Sequence, residues 1–178
     1  MQEITLDDQR TKLRDYERAF EAFYLLKIGV DLGLFQKLNA FPNGAYPGAL
    51  ASELGLHEPY VKFWCQTAYH LEILECDKSE RFSLAPHMGS LLADPKHPFY
   101  FVPVIEIRFS HTAEHLKDHP EYYRSGRIQS WEERGQDFSR KQKAYANQSM
   151  AAFYLSMIVP SVPGLKKRLE GSVDFQNK

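Results

Sequence analysis

Three histidines offer the most specific chemistry in this chain. His111-Thr-Ala-Glu-His115 follows H-x-x-E-H, the inverted form of a zinc-protease motif, and His119 adds a third imidazole four residues on. On a regular helix, steps of four bring the three rings to one face, where neutral imidazole nitrogens could hold zinc. The same residues also describe a solvated helix end. Glu114, Lys117 and Asp118 surround the rings with charge, Pro120 terminates the helix, and no distal carboxylate is singled out as a further ligand. No metal ligand is assigned, and whether this face takes a metal stays open.

Other catalytic signatures are missing from the sequence. There is no G-x-S-x-G elbow, and neither Cys65 nor Cys76 has the cationic neighbourhood that activates a thiol. Cys65, beside Trp64, reads as a packed core thiol. No G-x-G-x-x-G or G-x-x-x-x-G-K occurs; Gly29 and Gly33, like Gly44 and Gly48, are pairs in turns. No catalytic and no cofactor-binding residue is therefore named.

The elements that would position any site begin with a helix from about Asp7 to Ile28. Leu13, Tyr16, Phe20, Phe23 and Tyr24 recur on it at helical spacing. From Ala19 to Ile28 it is apolar nearly all round, apart from Glu21 and Lys27, so it calls for a second chain against it, and a homodimer is expected. Gly29 is expected to break this helix, with a short second helix from Leu32 to Leu38 and a turn at Phe41-Pro-Asn-Gly-Ala45.

Pro47 to Leu84 then reads as a winged helix-turn-helix. Pro47 to Leu56 has helical spacing closed by Gly55. A longer helix runs from Pro59 to Leu74 with Val61, Trp64, Ala68 and Leu71 as its buried stripe, and Cys76 to Leu84 forms a two-stranded wing. Such a fold commonly meets DNA, but here the charge has the wrong sign. From Ala45 to Asp94 three cations (Lys62, Lys78, Arg81) face seven anions (Glu53, Glu58, Glu72, Glu75, Asp77, Glu80, Asp94). Phosphate neutralisation supplies much of nucleic-acid affinity, so the balance argues against it. The outward residues of the longer helix, Tyr60, Phe63 and Tyr69, suit protein contact better than a groove. A DNA-binding transcriptional regulator is the alternative function, and a stand-alone pairing scaffold is a third.

Past Pro86, a short helix from His87 to Ala93 is expected. Beyond Pro98, helices are expected from Phe99 to Lys117 and from Asp137 to Ile158, with short pieces and turns between them. Met150 to Val159 is apolar on every face and is expected to be buried. Pro160 and Pro163 end that helix, Gly164 to Glu170 makes a last turn or two, and Ser172-Val-Asp-Phe175 starts like a strand. The fold class is mainly α: a winged helix-turn-helix with N-terminal dimerisation helices and a C-terminal helical extension. The expected divisions are 1–40 for the dimerisation helices, 41–95 for the winged unit, 96–170 for a helical lid and linker region, and 171–178 for the start of a further strand.

The net charge of −1 gives no bulk attraction to nucleic acid or anionic membrane. No run approaches the roughly 18 apolar residues that cross a bilayer. Asp7, Asp8, Asp15, Glu17 and Glu21 interrupt the first thirty residues, unlike a signal peptide. Two cysteines outside any C-x-x-C pair fit a reducing compartment. A cytoplasmic, soluble protein is expected.

Several of these segments, in order, resemble class I S-adenosylmethionine-dependent methyltransferases of the O-methyltransferase type. Lys27-Ile-Gly-Val-Asp-Leu-Gly-Leu-Phe-Gln-Lys-Leu38 resembles the stretch before their winged helix, and Leu50-Ala-Ser-Glu-Leu-Gly-Leu-His-Glu-Pro-Tyr-Val61 resembles the helix-turn-helix itself. Leu71-Glu-Ile-Leu-Glu75 and Arg81-Phe-Ser-Leu-Ala-Pro86 resemble the wing, and Val159 to Asp174 resembles the linker into the first Rossmann-like strand.

The resemblance implies a region that dimerises and lids a substrate pocket. It also implies a following domain that binds S-adenosylmethionine through a D-x-G-x-G loop. In this sequence Asp174 is followed only by Phe175-Gln-Asn-Lys178, so the chain resembles the substrate-side half without the cofactor half, and by itself it is expected to be inactive. S-adenosylmethionine is implied only for a complete homologue. If a catalytic domain completes the protein, the resemblance places Phe109, Tyr145, Met150, Phe153 and Met157 as linings of a small-molecule pocket. The methyl acceptor is not legible, nor is whether Lys178 is the natural C-terminus.

Overall fold

A computed structural model describes residues 4–113, 115–128, 130 and 132–172. These residues are mainly α-helical, with a single short hairpin among them, and the chain divides into two compact units, Met1–Pro95 and Lys96–Lys178. No helix among the described residues is long and apolar enough to cross a membrane.

The first unit begins with α1, Leu6–Asp31. Its start is set locally. The Thr5 hydroxyl accepts the Asp8 backbone N–H at 3.2 Å, and the Asp8 carboxylate accepts the Thr5 N–H at 2.8 Å, a reciprocal capping box. Asp7 and Asp8 add negative charge at the positive end of the helix dipole.

Gly29 does not break α1, contrary to the expectation from sequence. It lies inside the helix, and a Cβ there would stand 2.5 Å from the Phe35 ring and 2.7 Å from Trp64. The glycine is needed for close approach. The turn falls at Leu32 and Gly33, and Gly33 adopts φ +68°, a conformation that costs glycine little.

Helix α2, Leu34–Asn39, sends Leu34, Phe35 and Leu38 into the core. Phe35 meets Trp64 edge-on at 5.4 Å, and the Trp64 indole N–H donates to the Leu25 carbonyl at 3.1 Å. Full burial of side chains this large contributes on the order of 2–3 kcal/mol each, and the indole bond removes the penalty for burying its polar edge.

Helix α3, Pro47–Leu54, starts on a proline that needs no N–H partner and ends on Gly55 at φ +65°. Helix α4, Glu58–His70, buries Val61, Trp64, Cys65 and Ala68, while Leu71 is half-buried beyond its end. It stops at His70 rather than Leu74, because Leu74 opens the hairpin. Strand β1, Leu74–Cys76, pairs antiparallel with β2, Phe82–Leu84, in the register Leu74↔Leu84 and Cys76↔Phe82. Ala45 bridges to Phe82 and ties the loop before α3 to the wing. Helix α5, Met88–Leu92, buries Leu92 and completes the unit. α3, α4 and the hairpin follow one another along the chain.

The second unit is built differently. Helix α6, Val102–Ile107, runs into a π-helical turn, Arg108–Ala113; helix α7, His119–Ser125, follows after a turn at residues 116–118. One regular helix from Phe99 to Lys117 is therefore not what forms. Helix α8, Gly135–Phe153, passes through a second π-helical turn, Tyr154–Ile158, into the short α9, Val159–Ser161. Helix α10 spans Leu165–Ser172, so Ser172 is helical, and the strand expected after it lies outside the described residues.

Helix α6 packs on α8 around Val102, Ile105, Ile107 and Phe138. Lys141 reaches Glu106 at 3.9 Å, and the Gln148 side-chain amide donates to the carbonyls of His97 and Pro98. The apolar stretch from Met150, expected to be buried, is instead largely exposed: Met150, Phe153, Tyr154, Leu155 and Met157 all face outward, Met157 at 61%. α6 covers one side of α8 and leaves this row open.

Candidate functional site

Two apolar surfaces stand out, one on each unit. On the first, every residue from Leu6 to Glu21 is exposed. Leu13, Tyr16, Phe20, Tyr24 and Ile28 follow one another at steps of three and four, so they form one outward stripe along α1. At the inner end of that stripe lies an apolar cleft of about 530 Å³. Ile28 and Leu32 border it from α1 and its turn, Leu34 from α2, and Leu56, Tyr60 and Phe63 from the loop before α4 and from α4 itself. Ile28 therefore belongs to both stripe and cleft. Tyr60 and Phe63 are 76% and 67% exposed and form the rim.

A second cleft of about 510 Å³ lies between α4 and the wing, bordered by Phe63, Gln66, His70, Cys76 and Glu80. Its thiol is not a poised nucleophile. Partial burial, then the charges of Asp77 and Glu80, push the Cys76 thiol up, and burial with the neighbouring Cys76 pushes Cys65 up to about 12. Both shifts suppress the reactive thiolate. The wing turn itself is fixed by Asp77, whose carboxylate accepts the backbone N–H groups of Ser79 and Arg81 and pairs with the Arg81 guanidinium at 2.9 Å. The Arg81 backbone N–H is the largest of the effects that hold its carboxyl below the ordinary 3.8, and the other bonds add to it against an opposing effect of desolvation.

On the second unit, the five sequence candidates fall into two groups. Phe109, in the first π-helical turn, and Tyr145, on α8, are half-buried, and the Arg108 guanidinium sits over the Tyr145 ring at 5.9 Å. Met150, Phe153 and Met157 lie on the exposed row of α8 and the second π-helical turn, away from the side that packs on α6. Periodicity alone does not separate these groups, because it does not say which side α6 covers. Sequence reasoning also missed the 530 Å³ cleft, whose walls come from three elements, and the two π-helical turns. Its one usable signal was the outward placement of Tyr60 and Phe63.

Helical geometry is interrupted around the three histidines. His111 falls in the π-helical turn and a non-helical turn separates His115 from His119, so the regular helix on which steps of four share a face does not form. Glu114 lies outside the described residues, and among the described ones no three His, Cys, Asp or Glu side chains gather as metal ligands.

The described residues do not fit an S-adenosylmethionine cradle either. Cofactors of that shape sit at the carboxyl ends of parallel strands, over a glycine-rich turn. The sheet here is a two-stranded antiparallel hairpin, and no two glycines of the chain stand in a G-x-G pair.

This arrangement of helices occurs in known structures. The chain is similar to an O-methyltransferase family protein from Burkholderia thailandensis, with 19% identity and a TM-score of 0.63 over 88% of this chain and 44% of that one. It is also similar to a structure of PigF with SAH, with 14% identity and a TM-score of 0.66 over 90% of this chain and 49% of that one. No protein-family model and no curated protein matches it. At these identities the likeness establishes the fold: the chain folds as part of an O-methyltransferase family protein does. It spans less than half the length of either structure.

Proposed function

We propose that this chain is the pairing and substrate-lid portion of an S-adenosylmethionine-dependent O-methyltransferase. The observation that carries the reading is the fold likeness, which takes in about nine-tenths of this chain and somewhat under half of each neighbour. One neighbour was solved with SAH, in keeping with methyl transfer as the chemistry of the whole protein. In this reading α1 pairs two copies. The exposed row of Met150, Phe153 and Met157 faces a catalytic domain and closes over a small-molecule acceptor, while the half-buried Phe109 and Tyr145 lie outside that row.

Cofactor binding belongs to that other domain. The present residues supply apolar walls and exclude water. Calorimetric titration of the 178-residue chain with S-adenosylhomocysteine tests the division. The expected result is no saturable heat, and stoichiometric binding would contradict it.

A further inference from the structure

The cleft between α4 and the wing differs from the apolar one in its charge. We infer that it binds a small organic cation, an ammonium group on an apolar body, through the Glu80 carboxylate and the rings of Phe63 and Tyr69.

The walls suit such a ligand. The volume of about 510 Å³ lies within the range of roughly 300–1,000 Å³ that holds one small molecule. Three aromatic rings border the cleft: Phe63 and Tyr69 of α4, 67% and 47% exposed, and the buried Phe82 of β2. The face of an aromatic ring attracts a cation within about 6 Å of its centre. An uncharged apolar molecule fits better in the 530 Å³ cleft, where Ile28, Leu32 and Leu56 form walls and no charged side chain stands on the border.

Charge decides the sign of the ligand. Glu80 borders the α4–wing cleft, and no Lys or Arg does. Among the described residues the Glu80 carboxylate has no ion pair and no hydrogen bond. Arg81, its neighbour in sequence, is engaged by Asp77 at 2.9 Å, and Lys78 lies on the same turn but off the cleft's border. Partial burial, then the charges of Asp77 and Glu80, push the Cys76 thiol up, so the potential on this side of the cleft is negative. A cation placed there would neutralise a carboxylate that the chain itself leaves unneutralised.

The backbone singles out the same residue. Glu80 adopts φ +60°, in the left-handed region that favours glycine. The Asp77 carboxylate accepts the N–H groups of both its neighbours, Ser79 and Arg81, and the Asp77 carbonyl accepts the Glu80 N–H at 3.1 Å. These bonds fix the turn without the Glu80 side chain. Glycine would serve the turn better, so the carboxylate is kept at a conformational cost, a pattern typical of residues with a role outside the turn.

Phenethylammonium and phenethyl alcohol test the site, because they share a body and differ in charge. Each is titrated into the 178-residue chain at low salt and followed by backbone amide NMR. Saturable shifts along Cys76 to Phe82 are expected for the cation, with an affinity about tenfold above that of the alcohol. Equal affinities, or no saturable shift, overturn the inference. Shifts confined to the surroundings of Leu32 and Leu56 also overturn it, since they put the ligand in the apolar cleft.

Two variants check the role of Glu80. Glu80→Gln removes the charge at nearly the same size and is expected to bring the affinity for the cation down to that for the alcohol. Glu80→Gly is expected to do the same while stability in urea unfolding is kept or raised, since glycine accepts the left-handed angle. Undiminished cation binding in both variants defeats the assignment. A loss of stability in Glu80→Gly defeats it as well, because the side chain would then serve the turn.

Discussion

The two units use their apolar residues in opposite ways. In the first, Leu34, Phe35, Leu38, Leu50, Trp64 and Leu74 converge from helices and hairpin, and glycine at position 29 lets α1 come close enough to seal the core. In the second, burial among the described residues is confined to Val102, Ile105, Ile107 and Phe138, while a row of Met and aromatic side chains on α8 and the turn after it faces outward. The first unit thus closes a core of its own, and the second leaves an open surface. Proteins seldom leave such a surface uncovered unless something docks there. The contrast also runs inside the first unit, where α1 is exposed through Glu21 and anchored by burial of Leu25 and Gly29.

The sharpest way to break this contrast is a matched pair of truncations. Phe35→Ala is expected to destabilise the chain by about 3–5 kcal/mol in urea unfolding, the usual loss for a fully buried aromatic. Phe153→Ala is expected to change stability by less than about 0.5 kcal/mol, as surface changes do. A large loss for Phe153→Ala would mean that the open row is part of a core.

A smaller effect tests the glycine. Gly29→Ala places a Cβ against Phe35 and Trp64 and is expected to cost about 1–3 kcal/mol by overpacking, although alanine is the better helix former. Stabilisation by this change would show that Gly29 is not a close-packing position.

The smallest effect concerns the wing. The folded carboxyl of Asp77 lies below its ordinary 3.8, so its contribution is complete above that value and is lost as pH falls through the lower, folded one. The stability difference between the unsubstituted chain and Asp77→Asn is therefore expected to be constant at neutral pH and to shrink only below about pH 4. A difference that grows on acidification would reverse the sign and reject the role given to these hydrogen bonds.

What was legible in the sequence was local chemistry. Pro47 and Gly55 bracket α3 because proline and glycine act through their own backbone angles. The polar turn from Asp77 to Glu80 marks the hairpin in the same way. Gly29 was misread because a helix-breaking glycine and a close-packing one look alike until Phe35 and Trp64 are in place, the latter thirty-five residues away. The π-helical turns carry no distinctive residue, so two helices looked regular that are not. The helical step shows that Met150, Phe153 and Met157 share a side, but only the partner α6 decides that Tyr145 lies on a different one. The cleft beside Ile28 was harder still, since its walls are distant in sequence.

The account turns on whether the exposed face of α1 is an interface, and sedimentation equilibrium of the unsubstituted chain at micromolar concentration asks this directly. A single species of twice 20.7 kDa is the predicted result. A monomer at every concentration tested would contradict the proposed pairing and leave the stripe from Leu13 to Ile28 to be explained by a different partner.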